Sequence, residues 1–136
     1  MKKLKNTMIL GAIMLVLFAF TNVNKQSEEW VVPAKYKTMQ NPTDAEDDEN
    51  IEIGEELYSK HCKSCHGKEG LGDGTKAAEQ EGDLGDFSSE EFQAQSDGAL
   101  FYKTTTGRND MPAYDKKVPS DEDRWLIVNY MRTLAE

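Results

Sequence analysis

Apolar positions fall along the chain in three unlike ways. Residues 8–20 (MILGAIMLVLFAF) are apolar without a break. Residues 22–50 show no sustained period, and Asp44, Glu46, Asp47, Asp48 and Glu49 crowd together near the end of that stretch. Beyond it, apolar residues return at helical spacing. Ile51, Gly54, Tyr58 and Cys62 recur at steps of three, four and four, which is one face of a helix. A short second helix is expected over about 88–95, where Ser88 and Glu91 match a capping box. A third is expected over about 96–105, stopping near Gly107, a residue type suited to a helix C-terminus. A fourth starts after Pro119 and Ser120. Asp121, Glu122 and Asp123 fill its first turn, where the helix dipole favours acids, and Ile127, Tyr130, Met131 and Leu134 share a face. A glycine-rich loop, 67–85, joins the first helix to the second. Strand-like alternation never lasts beyond four residues, so the expected fold class is all-α.

The continuous run reads as an address. A spanning helix needs roughly 20 apolar residues and a signal-peptide core about 7–15. The run has 13 and follows Lys2, Lys3 and Lys5, which suits a signal peptide. Residues 1–21 are thus expected to be a signal peptide with weak cleavage chemistry at Ala19 and Thr21, or else a retained membrane anchor with 4–20 as the tether. Either way the product is exported, to the periplasm or an equivalent extracytoplasmic space. No cysteine follows the run closely enough to anchor a lipoprotein. Residues 22–49 are expected to be an arm and a solvated acidic linker. Within the arm, WVVPAKYKTMQNP (30–42) holds Trp30, Val31, Val32, Tyr36 and Met39, too many large apolar groups for a plain linker. It is expected to pack on the domain in extended form, with a disordered tether as the alternative.

Charge and cysteine count narrow the function. The 136-residue chain has net charge −9, and without its first 21 residues 13 bases face 25 acids, a charge of −12. A surface so acidic excludes nucleic acid, whose phosphates need a basic patch. Hydrophobic residues at 38 % and charged residues at 30 % exclude a polytopic membrane protein. Two cysteines cannot build a disulfide framework. Residues 50–136 form a domain small enough to gain from a bound cofactor.

That cofactor has a signature. His61-Cys62-Lys63-Ser64-Cys65-His66 holds every cysteine and histidine of the chain. Within it, Cys62, Cys65 and His66 form C-x-x-C-H, the attachment pattern of c-type haem. Two sulfurs three residues apart at a helix end can meet two vinyl groups on one porphyrin edge, and the next residue brings its imidazole under the iron. A zinc site would need a second, separated pair of donors. A redox dithiol would need a βαβ setting. A Cys62–Cys65 disulfide would be a tight loop that leaves His66 unexplained. His61, one residue off the haem side, is expected to be an exposed helix histidine.

The second axial ligand must come from Met, Tyr, Lys or water. Of six methionines, Met1, Met8 and Met14 lie in the leader, Met39 in the arm and Met131 on the apolar face of the last helix. Met111 remains, in GRNDMPAY (107–114). Pro112 disfavours helix at Met111 and removes a backbone donor, so Met111 is expected in an extended loop that reaches the haem. The alternative is a methionine that packs on the haem without ligating it. With His66 and Met111 as iron ligands no position is open to O₂ or peroxide, and thioether sulfur raises the potential.

At this point the sequence resembles a class I c-type cytochrome, of the small bacterial mono-haem kind, over most of residues 51–136. Gly54, Tyr58 and Cys62 resemble that family's N-terminal helix, where glycine permits close crossing of the C-terminal helix; Ile127 and Tyr130 stand where that helix supplies partners. CKSCHG, GKEGLGDGT and GRNDMPAY resemble the haem site, the loop after it and the methionine loop. The resemblance implies three to four helices around one covalent haem c. No proline lies between His66 and Met111, so the carbonyl that orients His66 is expected from the 70–75 loop. Leu71, Leu84, Phe87, Leu100, Phe101, Tyr114 and Trp125 are candidates for the haem pocket or the ordinary core. Arg108 either pairs with a propionate or faces water.

The function expected is that of a monomeric electron carrier between extracytoplasmic respiratory partners, without enzymatic activity. The alternative is a haem subunit held permanently in a membrane respiratory complex. A peroxidase or gas sensor finds no supporting residue.

Overall fold

The computed structural model describes residues 29–135. The leader, 1–21, and the first part of the arm lie outside the described residues. Within them the chain is helical, with no strand. Six α-helices follow in order: α1 (Ala34–Lys37), α2 (Asp48–His61), α3 (Lys63–His66), α4 (Glu90–Gln93), α5 (Asp97–Thr106) and α6 (Asp121–Arg132), with a 3₁₀ turn at Ala77–Glu79. All four helices expected from periodicity are present; α1 and α3 are single turns that no periodicity could announce. No helix among the described residues is long and apolar enough to cross a membrane.

The frame is a crossing of α2 on α6. The eight residues from Arg124 to Met131 are all buried, so α6 is surrounded rather than laid on a surface. Ile127 and Val128 are fully buried, each contributing about 1.5–3 kcal/mol by leaving water. At the crossing, a Cβ added to Gly54 would sit 2.2 Å from the Leu126 carbonyl oxygen. Only glycine lets the two backbones approach that closely. Tyr58, a turn later, is buried against Tyr130, with ring centroids 5.1 Å apart. Its hydroxyl donates to the Gly67 carbonyl at 2.9 Å, which ties the crossing to the residue that follows the haem motif. α5 closes the other side, with Phe101 stacked on Trp125 at 4.1 Å.

Side-chain caps set where the helices begin. Ser96 accepts from Ala99 N and Ser120 from Asp123 N, as N-caps do. Two boundaries differ from the periodic reading. The cap of α4 is Ser89, not Ser88, because Asp86 Oδ1 accepts both the amide and the hydroxyl of Ser88 and so takes it out of play. α2 begins three residues before Ile51, inside the acidic run. Asp47 accepts from Glu49 N and Asn50 N, and Asp48 and Glu49 occupy the first turn. The acidic run stays exposed, as its charge suggests, but it is not a plain spacer, since Asp47 caps α2 and Asp48 and Glu49 start it.

The arm lies on the domain, with a helical turn (α1) where fully extended chain is expected. Val32 is buried and the Tyr36 ring lies 4.7 Å from that of Tyr102. The arm's polar contacts reach deeper. Asn129 of α6, 1 % exposed, accepts from Asn41 Nδ2 at 2.6 Å and donates to Thr43 Oγ1 at 2.9 Å and to the Asp44 carbonyl. A buried amide in α6 thus has arm residues as its partners. Asn129→Ala is expected to cost about 1–3 kcal/mol, the usual result of removing one side of a buried hydrogen-bonded set. Denaturant melts would read this loss, and an unchanged midpoint would show that the arm is not anchored there.

Candidate functional site

The chain turns sharply where α2 ends. His61 closes α2, Cys62 is the junction, and α3 carries Ser64, Cys65 and His66. Amides of Cys65 and His66 both donate to the Cys62 carbonyl, which packs the three motif residues into one turn. Cys62 is buried and Cys65 half-buried, and they are not bridged to each other, so both sulfurs retain their bonding capacity. Burial, and then the neighbouring Cys65, push the Cys62 thiol up to about 12. Cys62 is therefore protonated at neutral pH, a poor spontaneous nucleophile until a reaction partner draws off the proton.

The loop after the motif binds it through backbone. Amides of Gly72, Gly74 and Lys76 donate to the carbonyls of His66, Cys65 and Ser64 at 2.9, 3.1 and 2.7 Å. A Cβ on Gly74 would lie 2.4 Å from the Ser64 carbonyl oxygen, so glycine is required for that approach. This geometry corrects the expected orientation of His66. The 70–75 loop offers the motif its amides, not its carbonyls. The His66 Nδ1 partner is instead the Leu84 carbonyl, at 3.0 Å. Leu84 is presented by a turn in which Asp83 Oδ1 accepts from Gly85 N at 2.9 Å. The Asp83-Leu84-Gly85 triplet signals that turn, since Asp two residues before glycine favours it, but not the residue its carbonyl serves. A carbonyl at Nδ1 places the ring's proton there and leaves Nε2 unprotonated, with its lone pair free to ligate a metal. Burial lowers the His66 pKa, with the Leu84 bond opposing, so the ring favours the neutral form that metal ligation needs.

Met111 sits in a turn of its own. Arg108 and Met111 exchange two backbone hydrogen bonds, each 2.9 Å, with Asn109 at φ 52° between them. The half-buried Met111 side chain packs against the core cluster that contains Cys62, Phe87, Leu100, Phe101, Tyr114 and Trp125. Two bonds tie this turn and its flank to the haem motif and to the loop that follows it. Asp110 Oδ2 accepts from Glu81 N at 2.9 Å, near the Asp83–Gly85 turn that serves His66. Tyr114 OH donates to the His61 carbonyl at 2.6 Å. Burial, more than the neighbouring thiols, pushes the Tyr114 hydroxyl up to about 12, which keeps it a donor. Met131 is buried in α6 and Met39 lies in the arm.

The other sequence candidates separate. Phe87, Leu100, Phe101, Tyr114 and Trp125 are buried. Phe87 lies against His66, with centroids 4.6 Å apart. Leu71 is 48 % exposed, and it lines a surface cavity of about 440 Å³ with Leu84 and Phe92. His61 is half-buried rather than exposed, its ring 6.0 Å from that of Tyr114. Arg108 lies over the Trp30 ring, 4.6 Å from its centroid. The sequence reading missed that contact, and also Arg124. Arg124 is buried over the Phe101 ring, donates to Thr105 Oγ1 and the Val118 carbonyl, and pairs with Asp121.

Two free thiols on one turn, an imidazole with its outer nitrogen already satisfied, and an apolar cluster beside them fit covalent haem. A family model described as cytochrome C oxidase, cbb3-type, subunit III matches residues 49–131. The chain belongs to this family of c-type cytochromes. Its cofactor is covalently bound haem c, and its chemistry is that of a haem protein in electron transfer. Solved structures agree. The cytochrome is 33 % identical to a chain of the Kuenenia stuttgartiensis reducing HAO-like protein complex Kustc0457/Kustc0458, with a TM-score of 0.58. That match covers 69 % of this cytochrome and 50 % of the other chain, so the cytochrome spans half the length of its relative. It is 26 % identical to the KustC0563 c-type cytochrome, with a TM-score of 0.52, over 61 % of its own length and 98 % of the other. None of the curated proteins matches it.

Proposed function

We propose that this cytochrome carries single electrons between extracytoplasmic redox partners, and that Cys62 and Cys65 would hold the haem while His66 Nε2 and Met111 Sδ would ligate its iron. The bound haem supplies a one-electron couple at its iron. The residues of the chain do the rest. The observation that carries the reading is the 3.0 Å bond between His66 Nδ1 and the Leu84 carbonyl, which orients the ring and frees Nε2. Met111 is the methionine whose turn is tied to the loop leading to Leu84 and whose side chain meets the same apolar cluster as Cys62. With His66 and Met111 as ligands the bound iron would have no position open to O₂ or peroxide, which favours a carrier over an oxygenase or peroxidase.

Export follows from the basic, apolar leader together with the extracytoplasmic setting usual for c-type domains. The leader then serves as a cleaved signal or a tether, and the domain works as a monomer. A second reading has support in the comparisons. The family model is described as an oxidase subunit, and one related chain belongs to a redox complex. The cytochrome would then be a resident subunit of a membrane respiratory complex. Purification in detergent separates the two: a free protein with one haem supports the carrier, and co-purification with an oxidase or dehydrogenase supports the subunit. The ligand assignment is tested by the weak far-red band that Met–Fe(III) ligation gives. Its absence from the oxidised protein at neutral pH would refute Met111.

A further inference from the structure

The arm makes one contact that its role as a spacer does not require. Trp30 lies beside two cations at once: the Arg108 guanidinium, 4.6 Å from the ring centroid, and Lys103 Nζ, 5.5 Å away. Lys103 belongs to α5, and Arg108 opens the turn whose other end is Met111. Two like charges this near each other repel, and the negative face of an indole offsets that repulsion while holding both. Arg108 is joined to Met111 by both backbone hydrogen bonds of the turn. A restraint on Arg108 is therefore a restraint on the backbone of Met111. The Asp110–Glu81 bond and the Tyr114–His61 bond hold the turn and its flank from the domain. Trp30 holds it from the arm.

Trp30 itself is well placed to exert force. Val32 is buried, a Cβ on Gly98 of α5 would strike the Tyr36 carbonyl oxygen at 2.0 Å, and Asn41 is bonded to buried Asn129. The arm is thus fastened at three further points before it reaches the acidic run.

We propose that Trp30 is a positioning residue for Met111, and that the arm, through the Trp30–Arg108 contact, sets how readily Met111 leaves the iron. The proposal rests on Met111 as the axial ligand. With Trp30 present, the Arg108–Met111 turn stays closed and an incoming ligand must wait for a rare opening. Without it the open fraction rises, and the apparent affinity for an external ligand rises in proportion.

The test uses the full-length holoprotein and imidazole as the probe, titrated into the oxidised form. Trp30→Ala is expected to bind imidazole about tenfold more tightly than the wild type, the factor given by losing a cation–π contact of intermediate to desolvated strength. Trp30→Phe, which keeps an aromatic face, is expected to recover most of the difference. Native-state hydrogen exchange supplies a readout that needs no ligand: the Arg108 and Met111 amides lose protection in Trp30→Ala. Tyr36→Ala is the control for a merely structural arm. It removes the Tyr102 contact and lowers the melting temperature, and it leaves imidazole affinity where it was. A wild type without the far-red band overturns the Met111 reading, and this proposal with it. A wild type with the band, and a Trp30→Ala variant whose imidazole affinity is within twofold of it, overturns this proposal alone. Equal tightening by Tyr36→Ala also overturns it, because general loosening would then suffice.

Discussion

Met111→Ala is expected to leave the haem covalently attached and to change almost everything about its iron. The far-red band disappears, the oxidised form binds imidazole without competition, and the reduced form acquires an open site. The potential falls by on the order of 0.1–0.2 V, a fraction of the ~0.8 V range that axial ligands span, because thioether sulfur favours Fe(II). Attachment is expected to be unaffected because Cys62 and Cys65, the proposed attachment residues, lie on the turn after α2, away in sequence from the 108–111 turn. Other methionines serve as internal controls. Met131 is 5 % exposed in the core and Met39 is 36 % exposed in the arm. Met131→Leu and Met39→Leu are both expected to keep the band and the potential. An unchanged spectrum and potential in Met111→Ala would remove Met111 from the iron, and loss of the band in Met39→Leu or Met131→Leu would move the assignment there.

Gly54 is the second position of large expected effect, and there even the sign is informative. In an exposed helix, Gly→Ala stabilises by roughly 1 kcal/mol through helix propensity alone. At the α2–α6 crossing the added Cβ would lie 2.2 Å from the Leu126 oxygen and 3.1 Å from Tyr130 Cβ. The first neighbour is backbone of a fully packed helix and cannot swing aside. Gly54→Ala is therefore expected to destabilise by about 2 kcal/mol and Gly54→Val by about 3 kcal/mol or more, as overpacked cores do. Denaturant titration of the holoprotein measures both. A Gly54→Ala protein at least as stable as wild type would show that the helices have room to separate. The consequence reaches the site, since Tyr58 spans from this crossing to the Gly67 carbonyl.

What could be read from residues alone was whatever depended on short spacing. Cys62, Cys65 and His66 are adjacent in sequence and fall on one turn, so the haem motif survives any choice of tertiary arrangement. Helix faces were legible for the same reason, because i, i+3 and i+4 positions meet locally. Ends were less secure. Ser88 looked like a cap until Asp86, two residues earlier, is seen to hold it. The His66 carbonyl could not be read, because 18 residues separate it from Leu84 and only the folded loop decides whether amides or carbonyls face the ring. The acidic run is solvated as its charge implies, but a block of like charge says nothing of the helix that begins inside it with Asp47 as its cap.

The arm shows the same limit most plainly. Its aromatic residues announced that it had something to pack on, and nothing in its pattern said what. Asn129 would have been a poor choice for a buried position in α6, since an amide without partners is costly there. Its place makes sense only with Asn41, Thr43 and Asp44 lying across it, some 85 residues away in sequence. By itself, then, the sequence determined the class, the faces of the longer helices and the cofactor, since each is written in local spacing and donor chemistry. Tertiary structure alone decided which carbonyl orients His66, which turn restrains Met111 and that the arm belongs to the core. Those depend on long-range pairings, and a buried polar group or a cation over a ring gains its meaning only from the partner that folding brings to it.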